Sequence, residues 1–161
     1  QESRGLGDVY KRQMGEWMLA IEAYQMLLDR FGTPEIKPQT LFEISFCYYM
    51  DKKYQKAIDL FNAILPKISE RSIKVETIYW IGESYYGLEK YDKAIETFLK
   101  IVYNYGDLAQ WDVNANIKIA MAYEQLNKFE KAKLFYNSVI NKYGADSKWG
   151  KEAQKLLDAL P

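Results

Sequence analysis

The hydrophobic pattern of this chain repeats itself. Apolar residues recur at spacings of three, four and seven, which is the period of a helix with one buried face. The clearest segment runs from Ile78 to Gly106 and has the pattern of two amphipathic helices joined by a short turn. Similar segments precede and follow it, with small anchor residues 37 and 38 positions apart, at Ser45, Gly82 and Ala120. The pattern therefore predicts an array of helix pairs.

Each copy places the same residue types at the same distance from its anchor. An aromatic residue follows the anchor by three positions, and an alanine and a second aromatic residue follow in the next helix. A small residue lets two helices approach closely, and the aromatic rings fill the space beside it. We therefore expect these positions to form the core: Tyr48, Ala57 and Phe61; Tyr85, Ala94 and Phe98; Tyr123, Ala132 and Tyr136.

Turn and capping residues divide the chain into predicted helices. The first, from Met14 to Phe31, ends before Gly32 and Pro34 and matches only the second helix of a copy. Asp107 is expected to cap the sixth helix, and Asp146 or Ser147 the last one. The last helix has one apolar and one charged side, as the end cap of a helical array requires. After the first helix, the predicted bounds are about 38–50, 54–66, 73–88, 91–105, 108–126, 129–143 and 148–159.

The residues around Gly82 resemble the tetratricopeptide repeat. The family pattern is L-G-x2-Y in the first helix and Y-x2-A-x3-F-x2-A-L in the second. It stands here as Ile81-Gly82, Tyr85, Tyr91, Ala94, Phe98 and Ile101-Val102. Two signature residues differ, and the period exceeds the usual length of about 34 residues. The family Trp of the first helix is replaced by Leu41, Ile78 and Asn116, and the closing Pro by Ser69, Gly106 and Gly144.

The resemblance implies an all-α fold, a TPR-like α-solenoid. In this fold, antiparallel helix pairs stack into a right-handed superhelix, here with a C-terminal capping helix. The long period and the ending NKYGADSKWGKEAQKLLDALP are similar to repeat domains of periplasmic Tol–Pal-associated proteins and outer-membrane assembly lipoproteins. This likeness favours a periplasmic or outer-membrane-associated location and leaves a cytoplasmic one open. Within residues 14–161 it implies a half repeat at 14–33, repeats at about 38–70, 73–106 and 108–144, and a cap helix at 147–160.

Residues 1–13 do not follow the pattern. Ser3 to Gln13 is the translation of a nucleotide string that resembles a transposase-based sequencing adapter. We therefore interpret residues 1–13 as an artefactual leader, the alternative being a disordered polar leader. On this interpretation the chain is a metagenomic fragment cut inside a repeat. Its true N-terminus, with any signal peptide or upstream domain, would then be missing.

Composition argues against several functions. Lys and Arg number 22, as do Asp and Glu, so no basic excess favours nucleic acid or an anionic membrane. The sequence has no His, no Gly-rich phosphate loop and no Cys pair, so we predict no catalytic, cofactor or metal site. No run approaches the roughly 18 apolar residues that cross a bilayer. The lone Cys47 lies between Phe46 and Tyr48, which favours a buried structural thiol over a reactive one.

The resemblance also implies where a partner would bind. In the family the first helices line the concave face, and three positions around each small anchor contact the ligand. Carried over, these positions are Phe42, Phe46 and Tyr49; Tyr79, Glu83 and Tyr86; Ile117, Met121 and Glu124. Rigid aromatic rings suit a binding surface, and Glu83 and Glu124 could select a Lys or Arg of a peptide. The alternative is that Phe42 and Phe46 pack against the preceding helix.

We therefore predict a non-catalytic protein–protein interaction scaffold that binds a partner peptide in a concave groove. Two alternatives remain open. The chain could be the C-terminal module of a larger enzyme or sensor whose N-terminal part is missing. It could also be a self-assembly module, in which the groove or the end helices pair two copies.

Overall fold

The computed structural model describes residue 16, residues 18–32 and residues 36–161. The proposed leader at 1–13 lies outside these residues. Every secondary-structure element in the described part of the chain is helical, and none of its helices is long and apolar enough to cross a membrane. The helices are α1 (18–32), α2 (Pro38–Met50), α3 (Tyr54–Ile64), α4 (Arg71–Gly87), α5 (Tyr91–Asn104), α6 (Ala109–Gln125), α7 (Phe129–Tyr143) and α8 (Lys148–Asp158).

The chain divides into two compact units, Gln1–Glu70 and Arg71–Pro161. Unit 1 contains α1 to α3, and unit 2 contains α4 to α8. In unit 1, α2 packs on α3. In unit 2 each helix packs on the next, and α4 also contacts α6. The predicted first and second helices therefore form the pairs α2–α3, α4–α5 and α6–α7, as expected for a TPR-like α-solenoid.

A close contact between a small residue and an aromatic ring joins the helices of a pair. In unit 2, Gly82 of α4 faces Phe98 of α5, and a methyl group at Gly82 would lie 2.6 Å from the Phe98 ring. No larger residue fits there unless the ring moves. The equivalent residues of the other pairs are all 0% exposed: Ser45, Ala57 and Phe61 in unit 1, and Ala120, Ala132 and Tyr136 in unit 2. The predicted close approach is thus confirmed at Gly82, and the predicted burial is confirmed for the equivalent residues of the other pairs.

The turns inside these helix pairs share one backbone conformation. Lys52, Glu89 and Asn127 have positive φ angles of 59°, 58° and 55°. Asn tolerates this left-handed region better than Lys or Glu, so two of the turns place an unfavourable residue in a fixed conformation. The three positions are 37 and 38 residues apart, like the anchors. The backbone therefore repeats with the same period as the sequence.

From α2 onward, the observed helix bounds agree with the predicted ones to within two residues. The predicted helix 54–66 differs because α3 ends at Ile64 and continues as a 3-10 turn, Leu65–Lys67, that contains Pro66. The predicted cap of α8 is confirmed at Ser147, whose Oγ accepts a hydrogen bond of 2.9 Å from the Gly150 N–H. This bond satisfies one of the free amide groups at the helix start.

The predicted cap at Asp107 is wrong. α6 begins at Ala109, after Leu108, whose side chain has no acceptor. Both carboxylate oxygens of Asp107 instead accept hydrogen bonds from the Arg71 guanidinium, at 2.5 and 2.6 Å. A bidentate, charge-assisted hydrogen bond between a guanidinium and a carboxylate is stronger than a single capping hydrogen bond from a backbone amide. The same pairing lowers the pKa of Asp107 to about 2.

α8 covers the end of unit 2 with its apolar side. Ala153 is fully buried in a core cluster with Val113, Tyr136 and Val139. Four larger residues pack against the same cluster: Trp149, Leu156, Leu157 and Leu160. Its lysines are exposed to solvent. The predicted capping helix is confirmed, because it shields the apolar end of α7 and presents charge outward.

We expect Gly82→Ala to lower the free energy of unfolding by about 1–3 kcal/mol, because overpacking against Phe98 displaces the ring or separates α4 from α5. Urea denaturation measures this change. The control is Gly87→Ala at the exposed end of α4, which should be neutral or stabilising by up to about 1 kcal/mol. Wild-type stability in Gly82→Ala would contradict the close contact.

Candidate binding surface

The predicted site residues lie on three helices. Phe42, Phe46 and Tyr49 belong to α2 in unit 1, and the other six belong to α4 and α6 in unit 2. Spacings of three and four residues place the members of each helix on one face. The helical positions are therefore those that the resemblance implied, and the contacts of each side chain decide what it can offer to a ligand.

In unit 1 the three aromatic rings are partly buried. Phe42 meets the ring of Phe61 on α3 edge-on, with ring centroids 5.6 Å apart. The rings of Phe46 and Tyr49 stack with their centroids 6.1 Å apart, and the centroid of the Tyr49 ring lies 5.6 Å from that of Tyr54. Phe42 thus contributes to the packing of α2 on α3. Phe46 and Tyr49 form an aromatic pair beside it.

Phe42 and Phe46 also line a cleft between α1 and α2. The cleft has a volume of about 400 Å³, and its other lining residues are Glu16, Ala20, Tyr24, Glu43 and Cys47. Burial raises the pKa of the Tyr24 hydroxyl, and the charge of Glu43 raises it further. Cys47 is 4% exposed, and burial raises the pKa of its thiol. The predicted buried thiol is therefore confirmed, since both effects oppose a reactive thiolate.

In unit 2, Tyr79 lies within a group of aromatic rings. Its centroid is 5.5 Å from those of Trp80 and Phe98 and 5.4 Å from that of Trp111. Phe98 belongs to α5 and Trp111 to α6. Tyr79 therefore connects three helices, and only its partly exposed portion is accessible to a ligand.

Glu83 of α4 forms an ion pair with Lys118 of α6. Glu83 Oε2 lies 2.8 Å from Lys118 Nζ, and the two side chains are 11% and 24% exposed. The ammonium group also lies 5.6 Å from the centroid of the Tyr86 ring, a cation–π distance. Lys118 was not predicted as a site residue. The available signal is its place as a single cation between Ile117 and Ile119.

Glu124 of α6 accepts a hydrogen bond from the hydroxyl of Tyr136 on α7. Tyr136 is fully buried, and burial together with the bond to Glu124 raises the pKa of its hydroxyl. The hydroxyl therefore remains protonated and acts as a donor. Other copies have Phe61 and Phe98 at this position, so the change to Tyr was the sequence signal for this bond.

Tyr86 interacts electrostatically with both of these carboxylates. Burial raises the pKa of the Tyr86 hydroxyl, and electrostatic interactions with Tyr91, Glu124 and Glu83 raise it further. Its ring packs edge-on against that of Tyr91, with the centroids 5.1 Å apart. Tyr79, Glu83, Tyr86, Lys118 and Glu124 thus form one partly exposed patch, which we call the α4–α6 surface.

Two of the predicted residues contribute mainly to the core. Ile117 is 8% exposed, and Met121 packs beside it against the buried cluster of α6, α7 and α8. Ile117 therefore offers little area to a ligand. Its role in binding, like that of the other predicted site residues, stays a prediction.

A second polar cluster, at the start of α6, has a structural role. Asp112 is 1% exposed and accepts hydrogen bonds from Lys142 Nζ (2.6 Å), Tyr143 (2.7 Å) and Asn116 Nδ2 (3.1 Å). Lys142 also donates to the carbonyl of Gly106 at 2.8 Å, and its bond to Asp112 raises the pKa of its ammonium group. These bonds join α6 to α7. Asn116, at a position where the family pattern has Trp, donates from its side-chain amide to the buried carboxylate of Asp112.

Comparison with known proteins identifies the family. The family model for the tetratricopeptide repeat matches residues 5–33, 76–107 and 115–145, which together are more than half of the chain. The chain belongs to the tetratricopeptide repeat family. The first match begins within the proposed leader, and residues 34–75 lie between the first two matches. A search of curated proteins finds no significant match.

Three solved structures have a similar fold. The apo form of RapI superposes with a TM-score of 0.72 and 18% identity, over 92% of this chain and 44% of RapI. BtubC from P. vanneervenii superposes with a TM-score of 0.60 and 18% identity, over 92% of this chain and 64% of BtubC. MamA superposes with a TM-score of 0.63 and 19% identity, over 92% of this chain and 88% of MamA. The chain thus spans less than half the length of RapI, and at these identities the likeness shows the fold alone.

Fold and family agree on a general role. Tetratricopeptide repeat proteins are generally non-catalytic scaffolds, and this fold supports a protein–protein interaction role for the chain. Within the described residues, no group of three or more His, Cys, Asp or Glu side chains is placed to hold a metal ion. Repeat arrays of this kind commonly bind their partners on the surface of the helices.

We expect Lys118→Met to lower the free energy of unfolding by about 1–3 kcal/mol, because it removes the cation that faces the largely buried carboxylate of Glu83. Adding Glu83→Gln should recover part of the loss, and a double-mutant cycle measures the coupling. The control is Lys133→Met, which breaks an ion pair with side chains 39% and 88% exposed and should change stability by less than about 1 kcal/mol. Equal effects of the two Lys→Met changes would contradict a special role for Lys118.

Proposed function

We propose that this protein is a scaffold that binds a partner peptide along the first helices of its pairs. The α4–α6 surface is the observation that carries the proposal. It joins two successive first helices, α4 and α6, through the contacts of Lys118 with Glu83 and Tyr86. A segment lying across both helices would contact rings and charges at the same time, as the centre and rim of an interface require.

The charge of the surface supports a basic partner. Glu83 and Glu124 carry two negative charges against the single positive charge of Lys118, so the patch has a formal charge of −1. A carboxylate accepts about four hydrogen bonds, and the Tyr136 hydroxyl supplies one of those of Glu124. Glu124 therefore retains capacity for a Lys or Arg of the partner, as the charge-assisted bonds of peptide recognition require.

Tyr79 and Tyr86 would supply the apolar part of the contact. Both rings are held by neighbouring aromatic groups, so little side-chain entropy is lost when a ligand covers them. In unit 1, Phe46 and Tyr49 offer a similar aromatic pair on α2. We propose that the partner segment carries apolar side chains beside its basic residue.

The setting proposed for this function is the bacterial cell envelope. The support is the long repeat period and the similarity of the chain's ending to periplasmic and outer-membrane-associated repeat proteins. A scaffold there would hold a peptide segment of one envelope protein while other parts of the array remain accessible.

Peptide phage display on the immobilised protein tests the proposal. We expect the selected peptides to combine Lys or Arg with neighbouring apolar residues. Glu124→Gln keeps an acceptor for Tyr136 but removes the charge, so it should weaken binding of those peptides by about five- to tenfold. The control is Glu96→Gln on the exposed side of α5, which makes the same charge change away from the surface. Equal affinity in both variants, or selected peptides without basic residues, would contradict the proposal.

A further inference from the structure

Glu83 and Tyr86 form a place for a positive charge on the α4–α6 surface. They lie three residues apart on α4, so their side chains leave the same face of the helix. The side chain of Glu83 is 11% exposed, and the ring of Tyr86 is partly buried against that of Tyr91. A carboxylate beside an aromatic face attracts a cation through its charge and through the quadrupole of the ring.

The protein fills this place with its own cation, Lys118 of α6. The Lys118 ammonium lies 2.8 Å from Glu83 Oε2 and 5.6 Å from the centroid of the Tyr86 ring. It thus makes both contacts that a basic side chain of a partner would make there. The Lys118 side chain is 24% exposed, and an ammonium on a flexible four-carbon stem can move into solvent.

Lys118 does not belong to the repeat pattern. It lies two positions before the small anchor Ala120, and the equivalent residues are Trp80 in α4 and Glu43 in α2. The other copies therefore form their helix pairs without a lysine at this position. A role of Lys118 outside the common packing of the repeat is consistent with this difference.

A different contact between lysine and tyrosine does repeat with the array. In each helix pair, a lysine of the second helix lies 5.5 to 5.8 Å from the ring centroid of the tyrosine that follows the anchor by three positions: Lys56 over Tyr48, Lys93 over Tyr85, and Lys131 over Tyr123. These contacts join the two helices of one pair. The contact of Lys118 with Tyr86 instead joins two successive pairs, on the side where the binding surface lies.

Replacement of Lys118 by an arginine of a partner would keep Glu83 paired. Breaking a largely buried ion pair is costly because one charge is left alone, whereas the net stability that the pair itself contributes is small. A guanidinium offers two parallel hydrogen bonds to a carboxylate and also stacks on aromatic rings, so it suits Glu83 and Tyr86 better than an ammonium does. The exchange therefore avoids the main cost of removing Lys118.

We propose that Glu83 and Tyr86 form a subsite for an arginine side chain, which Lys118 occupies in the free protein and leaves when a partner binds. This inference rests on the proposed function and deepens it. The partner segment carries two basic residues, one for Glu124 and an arginine for Glu83. Lys118 thereby sets the specificity of the α4–α6 surface, because a segment without that arginine leaves the ion pair of the free protein in place.

Fluorescence anisotropy on the full chain measures the competition by Lys118. The probe is the fluorescein-labelled peptide that phage display selects on the wild-type protein. We expect Lys118→Met to bind it about fivefold more tightly, because the competing cation is gone. Copies of the peptide in which one arginine at a time is replaced by citrulline, which has a similar shape without the charge, identify the arginine that gives this gain.

Two controls separate competition from a general change in charge. In a Glu83→Gln background, Lys118→Met should alter the affinity by less than about twofold, because the subsite has lost its charge. Lys133→Met removes the same charge from an exposed ion pair on α7 and should leave the affinity unchanged. Circular dichroism confirms that each variant folds.

Lysine reactivity tests the exchange in the wild-type protein. Limited acetylation followed by mass spectrometry of peptide fragments reports the rate at which the Lys118 ammonium group is modified. We expect the bound peptide to raise this rate several-fold, because Lys118 leaves Glu83 for solvent. A peptide that only covered the α4–α6 surface would lower the rate.

The outcomes distinguish this inference from the proposed function. If display selects no basic peptide, both are wrong. If a basic peptide is selected, the arginine subsite alone would be overturned by any of four results: selected peptides with lysine and no arginine, equal or weaker binding to Lys118→Met, the same gain in the Glu83→Gln background, or lower reactivity of Lys118 in the complex.

Discussion

The contact of a small residue with an aromatic ring is the constraint on which the rest of this structure depends. Gly82 allows α4 to approach α5 until the ring of Phe98 fills the space beside it, and the equivalent small residues of the other pairs, Ser45 and Ala120, are fully buried. Because protein cores are close-packed, this approach sets the spacing of the helices. In unit 2 it leaves α4 and α6 as neighbours, so that their outward residues form one surface.

The polar residues of that surface also hold the helices together. Glu83 of α4 forms an ion pair with Lys118 of α6, and Glu124 accepts a hydrogen bond from the hydroxyl of Tyr136 on α7. These groups are partly buried, where charge–charge and hydrogen-bond energies are larger than in water. The residues that we propose for binding in unit 2 therefore also stabilise its packing. Substitutions that keep the shape and the hydrogen bond of a side chain are needed to separate the two.

The helices could be predicted from the sequence, but the side-chain contacts between helix pairs could be predicted only in part. Helix bounds and the core around Gly82 follow from local spacing, since residues three, four and seven apart share a face and each copy confirms the others. The partners of Asp107 and Glu83 are 36 and 35 residues away, in an adjacent helix pair. Side-chain pairing at such separations depends on how helix pairs stack, which the period of one copy does not specify. For that reason a cap was predicted at Asp107 and the cation at Lys118 was missed.

The central claim is that the first helices of the array carry its ligand. The most direct measurement is an NMR titration of the isotope-labelled protein with a basic peptide obtained by selection. Our account predicts that the largest amide and side-chain shifts fall on α4 and α6, around Tyr79, Tyr86 and Lys118. Shifts concentrated on the exposed sides of the second helices, such as at Lys93 and Lys131, would contradict it.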